Sequence, residues 1–76
     1  MSGAMQAHIV RVKYETGQTG LIYASSPDLK GLLVAEHTFE ELERVVPRAI
    51  TELYAACGVN VVVTPMRSTI IVAPPS

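Results

Sequence analysis

The residues of this chain that could do chemistry are few and scattered: the carboxylates Asp28, Glu36 and Glu41, the imidazoles His8 and His37, and the thiol of Cys57. Acidic side chains converging from a central strand and a facing helix would hold a divalent cation for nuclease chemistry. The pattern argues against that. The first strand, expected from His8 to Tyr14, carries no carboxylate, and Glu15 falls past its expected end. Neither histidine has a carboxylate or cysteine at ligand spacing, so surface or capping roles are expected for both. Cys57 closes an apolar helical stripe, where a free cysteine behaves as a small hydrophobe. No catalytic residue, metal or cofactor is expected, and the chain reads as a non-enzyme.

Composition points toward partners. Hydrophobic residues make up 49% of the 76 residues and charged ones 17%, against roughly a quarter charged in ordinary domains. One domain, spanning 1–76, is all this length supports, with 1–6 and 73–76 as a flexible start and tail. A core this small is marginal on its own. A single cysteine excludes an internal disulfide and fits a reduced, cytoplasmic setting. The excess apolar surface then implies a subunit or partner interface, with a homo-dimer or tetramer expected. No apolar run reaches the roughly twenty residues of a membrane span. Net charge is −1 and the basic residues Arg11, Lys13, Lys30, Arg44, Arg48 and Arg67 are dispersed, so no nucleic-acid footprint is visible.

The elements follow from periodicity and punctuation. Val10, Val12 and Tyr14 alternate with Ile9, Arg11 and Lys13, which predicts a strand buried on one face. Glu15 to Gly20 is a loop, and Leu21 to Ser25 returns with Ile22 and Ala24 opposite Leu21, Tyr23 and Ser25. Ser26 to Gly31 is a turn in which Pro27, Asp28 and Gly31 each have a conformational role. Leu32 to Glu36 is a short third strand.

Thr38 with Glu41 forms a capping box. Phe39, Leu42, Val46, Ala49, Ile50, Leu53 and Cys57 form one helical stripe, and Gly58 suits a left-handed cap, so the helix runs from Phe39 to Cys57. Pro47 lies inside it, expected on the solvent face of one kinked helix. Glu40, Arg44, Arg48 and Glu52 are expected as a solvated ladder of intrahelical ion pairs. Val59 to Thr64 and Ser68 to Val72 complete the set, with Pro65 to Arg67 turning between them. The expected fold is α+β, a two-layer sandwich β-β-β-α-β(-β) with one helix on an antiparallel sheet.

Taken together, the strand end Tyr23-Ala24-Ser25-Ser26, the turn Pro27-Asp28-Leu29-Lys30-Gly31, the strand Leu32 to Glu36 and the helix start Thr38-Phe39-Glu40-Glu41-Leu42 resemble the HicB antitoxin family and its small HicB-like relatives. The resemblance covers Val10 to Leu53. Lys30 stands where the family's turn has its second proline, and Pro47 interrupts the helix. The resemblance implies a degenerate ribonuclease-H-like fold without its catalytic carboxylates. It also implies a function: neutralising a HicA-like toxin, an mRNA-cleaving protein, by occlusion. The family's DNA-binding domain would begin where this sequence stops, so direct DNA binding is not expected from this chain. The partner-binding residues expected are Tyr23, Ser25, Pro27, Asp28 and Leu29. A homo-oligomer of the same fold, joined through the strand edges Val59–Val63 or Ser68–Val72 and without a toxin, is the alternative.

Overall fold

In the computed structural model, residues 6–66 and 69–75 are described. The proposed flexible start, the turn residue Arg67, the strand residue Ser68 and the final Ser76 fall wholly or mostly outside that range.

Seven elements follow one another: β1 (His8–Arg11), β2 (Lys13–Thr16), β3 (Ile22–Ser25), β4 (Leu33–Glu36), α1 (Phe39–Ala56), β5 (Val62–Met66) and β6 (Thr69–Ala73). The α+β class and, among the described residues, the single helix are as the sequence implies. The sheet differs. There are two three-stranded antiparallel sheets, ordered β1-β6-β5 and β2-β3-β4. The expected first strand divides at Val12, and Glu15 and Thr16 lie inside β2 rather than in a loop.

The division has a physical cause. Among the described residues β1 pairs with β6 as far as Arg11 opposite Thr69. β2 begins its pairing with β3 at Lys13 opposite Ser25, beyond which Pro27 has no N–H to continue a ladder. Meanwhile the Arg11 amide donates to the Asp28 carboxylate at 2.9 Å, away from β6. The chain therefore hands over from β6 on one side to β3 on the other, and Val12 is the pivot.

That amide also fixes which strand edges are free, because N–H and C=O groups alternate sides along an antiparallel strand. With Arg11 pointing away from β6, Thr69, Ile71 and Ala73 bond to β5, so Val62, Thr64 and Met66 point inward to β6. The free edge of β5 then belongs to Val63 and Pro65. Pro65 stands where no intramolecular donor is needed and blunts that edge. β6 is the central strand of its sheet, so the Ser68–Val72 edge considered from sequence is covered on both sides. In the second sheet the Gly17 amide donates to Leu21 O at 2.7 Å, so by alternation Lys13 and Glu15 bond to β3, Ala24 and Ile22 bond to β4, and Leu33 and Ala35 present their N–H and C=O groups along the free edge of β4.

The helix packs on one face of both sheets, against β3, β4 and β5. Leu42, Val46 and Ile50 are fully buried beneath it, together with Val10, Ala24 and Val72. Val12 is buried and Tyr14 packs at the core's edge, so the alternation read from sequence holds across the pivot. No polar side chain is buried among the described residues.

Both helix ends are closed locally. Thr38 Oγ1 accepts from the Glu41 amide at 3.1 Å. The Glu41 carboxylate, however, accepts from the Thr38 hydroxyl at 3.1 Å rather than from the backbone N–H of a full capping box. At the other end Val59 N–H donates to Tyr54 O and Gly58 N–H to Ala55 O, both at 2.9 Å. This is a Schellman closure, which needs the positive φ of 79° that Gly58 supplies. Thr38→Ala is expected to cost about 1 kcal/mol in urea unfolding; an unchanged midpoint would show the cap to be idle.

Four expectations about the helix and its flanks are corrected. Cys57 is the exposed C-cap residue, not the buried end of the stripe, because the chain has already turned there. Pro47 is half-buried and lines a cleft instead of facing solvent. Among the described residues Glu40, Arg44, Arg48 and Glu52 form no ion pair within 4.0 Å; they extend separately into water. Pro65 and Met66 belong to β5, and Ala73 belongs to β6 opposite Val62 rather than to a tail.

Candidate protein-recognition site

The five residues singled out from the sequence lie close along the chain, but the fold gives them two different jobs. The turn consists of two short pieces. Ser26 Oγ accepts from the Asp28 amide at 3.0 Å, a hydroxyl-closed turn around Pro27. Leu32 N–H then donates to Leu29 O, with Gly31 at φ 93° in the third position, where a side chain would be strained. Lys30 therefore holds the second position, the corner where proline is also favoured. Leu29 turns inward and packs against the core.

Asp28 is committed to Arg11. Its Oδ2 accepts from both the Arg11 amide and Nε at 2.9 Å, and its Oδ1 accepts from Nη2 at 2.8 Å. The side-chain hydrogen bonds of Arg11, followed by its backbone one, hold the Asp28 carboxyl well below the usual carboxylate range. The same side-chain bond, followed by the charge of Asp28, makes the Arg11 guanidinium more basic than usual. The pair is solvated, with side chains 67% and 29% exposed, so water screens it and its chief effect is geometric. It clips the turn after β3 to the pivot between β1 and β2. Arg11 is the functional partner that sequence reading missed, being seventeen positions from Asp28 with no local signal.

The consequence for pH has a definite sign. A carboxyl depressed in the folded state contributes stability above its ordinary value near 3.8, and that contribution disappears as pH falls through this value toward the folded one. Urea midpoints are expected to fall on acidification from about pH 6 toward about pH 2, and Asp28→Asn is expected to lower the neutral-pH midpoint and flatten this acid limb. An identical pH profile in the variant would remove the clip.

Tyr23 and Ser25 face the other way, onto the sheet surface opposite the helix. The register places Lys13, Ser25 and Leu33 in one row and Glu15, Tyr23 and Ala35 in the next. The Tyr23 ring lies over Gly17: a Cβ there would sit 2.5 Å from Cε2, so the ring's position requires a glycine beneath it. Lys13 and Glu15 offset each other at 3.8 Å along the far border. Leu33, 68% exposed, supplies an apolar point beside Ser25, and Pro27 stands exposed at the end of the strand. Leu33 was not anticipated because the run Leu32-Leu33-Val34 gives no alternation by which to tell inward from outward. The outer face continues onto the other sheet, where Ile9, Val62 and Met66 are 49–60% exposed. The surface is weakly charged and largely apolar, and no described residue covers it.

Two recesses lie on the helix side. A cleft of about 330 Å³ is lined by Tyr14, Glu43, Val46, Pro47, Pro65 and Ile70. Tyr14 packs edge-on against Phe39 with ring centroids 4.9 Å apart. Burial, and secondarily Glu43, raise its phenol above the ordinary value and keep it protonated. The cleft thus sets one hydrogen-bond donor, the Tyr14 hydroxyl, and one carboxylate, Glu43, among apolar side chains in a recess of mixed polarity. A second, shallower groove of about 230 Å³ lies between β4 and the last two turns of α1. His8 bonds the Tyr54 hydroxyl at 2.8 Å, a tie from β1 to the helix. Asp28, Glu36 and Glu41 do not converge: among the described residues no three His, Cys, Asp or Glu side chains are grouped to hold a metal. No helix among the described residues is long and apolar enough to cross a membrane.

No family model matches the chain, and neither a curated protein nor a solved structure matches it.

Proposed function

We propose that this chain is a non-catalytic protein-binding module of the HicB-like antitoxin type, which occludes the active surface of a HicA-type, mRNA-cleaving toxin. The observation that carries this reading is the uncovered outer face of β2-β3-β4, bearing Tyr23, Ser25 and Leu33, with a clipped turn and exposed Pro27 at its end. Occlusion needs little more: a rigid surface, a central aromatic or aliphatic anchor, and a border that excludes water. Tyr23 is the aromatic anchor, seated on Gly17. Leu33 is the aliphatic one, and Pro27 is a stiff rim.

The turn residues divide in this reading. Asp28 and Leu29 act as positioning residues that hold the surface, while Tyr23, Ser25 and Pro27 make contact. The degenerate ribonuclease-H-like relationship, supported by the order of strands, turn and helix, and a cytoplasmic location, in keeping with the single cysteine, belong to the same proposal. Light scattering on the purified chain mixed with a HicA-type toxin tests it. The mass is expected to rise to that of a defined complex of both proteins; two unshifted species would reject it. A toxin-free structural homo-oligomer is the second reading, favoured by the apolar outer points Ile9, Val62 and Met66.

A further inference from the structure

The strand edges of this fold are not equivalent. β6 is flanked on both sides, and the free edge of β5 is blunted by Pro65. Among the described residues the free edge of β4 has no such guard. Leu33 and Ala35 point their N–H and C=O groups outward there, with no proline and no charge between them. Beside this edge, the groove of about 230 Å³ separates Val34 from one flank of α1. Ala49, Leu53 and Ala56 recur on that flank at four- and three-residue steps, so they share a face, and two of the three are small enough for another backbone or helix to come close. Glu52 is the one charged residue lining the groove. An open strand edge bordered by an apolar helix flank is the geometry that takes up an added strand.

We propose that a second copy of this chain occupies it, β4 against β4, about a two-fold axis through Val34. The edge is self-complementary. With Val34 opposite Val34 of the second copy, Leu33 of each chain faces Ala35 of the other. Both residues point outward, so each such pair exchanges two backbone hydrogen bonds, four in all. Every outward group of Leu33 and Ala35 is then satisfied. On the outer face Leu33, 68% exposed in the single chain, lies against Ala35 of the second copy. On the inner face the Ala49, Leu53 and Ala56 flanks approach each other across the groove. A foreign strand would satisfy the same groups yet leave its own far edge open, whereas the two-fold pairing closes both edges at once. The dimer is a continuous sheet with both helices on one side and both Tyr23 faces on the other. It does not depend on the toxin reading, since a chain without any toxin pairs equally well.

Light scattering on the chain alone, with three variants, tests this. Ala35→Pro removes an outward N–H that no intramolecular bond uses and puts a ring in the path of the second strand. Ala56→Glu places a charge on the helix flank and alters no strand. Val63→Pro makes the matching change on the free edge of β5. The wild type is expected at twice the 8.2 kDa chain mass. Ala35→Pro and Ala56→Glu are expected at the single-chain mass with unchanged circular dichroism, and Val63→Pro is expected to remain dimeric. If Ala35→Pro fails to fold, Ala56→Glu decides alone. A wild type monomeric across the micromolar range would leave the groove to a foreign strand and overturn the proposal. So would a dimer that survives Ala56→Glu, or one broken by Val63→Pro.

Discussion

Leu42→Ala is expected to remove about 2–5 kcal/mol of unfolding free energy, the ordinary range for emptying a fully buried leucine site. Leu42 is 0% exposed and sits near the start of α1, which covers both sheets. The two sheets share no ladder among the described residues; the pivot at Val12, the Arg11–Asp28 clip and the common core under the helix hold them as one body. A chain of 76 residues has on the order of 4–11 kcal/mol to lose. The variant is therefore expected to be partly unfolded at 37 °C, with a much lower urea midpoint at an unchanged slope. A loss under about 1 kcal/mol would mean that the two sheets are stable without the helix. Ile50→Ala, equally buried, is expected to behave the same way.

The second large effect concerns recognition. Tyr23→Ala is expected to weaken the complex with a HicA-type toxin by about 2 kcal/mol or more, roughly thirtyfold in Kd, because a central aromatic seated on a rigid strand is the usual anchor of such an interface. The fold should tolerate the change, since Tyr23 lies outside the buried core and opposite the helix. Titration calorimetry with wild type and variant measures it. Equal affinities would move the contact surface elsewhere, the helix-side cleft around Tyr14 being the next candidate.

Local rules were enough to read some of this from the sequence. The alternation of Val10, Val12 and Tyr14, the Thr38 cap and the left-handed Gly58 depend on neighbours within four residues, and each is found where it was expected. The split at Val12 was not legible, because it depends on where two distant partner strands stop. β5 begins three residues later than its β-branched run suggested: the Schellman closure places Val59 in the helix exit, and Val62 is the first residue opposite β6. The candidate surface was half visible. Tyr23 and Ser25 could be assigned a face by alternation. Leu33 could not, and Asp28 looked free only because Arg11, its partner, is remote in sequence. The unguarded edge of β4 could be recognised only once the directions of two amides, Arg11 for one sheet and Gly17 for the other, had fixed the alternation.

Neutralisation itself is the claim that most needs a direct reading, and cleavage of a reporter mRNA by a purified HicA-type toxin supplies it. With increasing amounts of this chain, cleavage is expected to fall linearly and stop at a fixed stoichiometric ratio, and Tyr23→Ala is expected to shift that titration to higher concentration. Cleavage that continues undiminished at a large excess of folded chain would contradict the account.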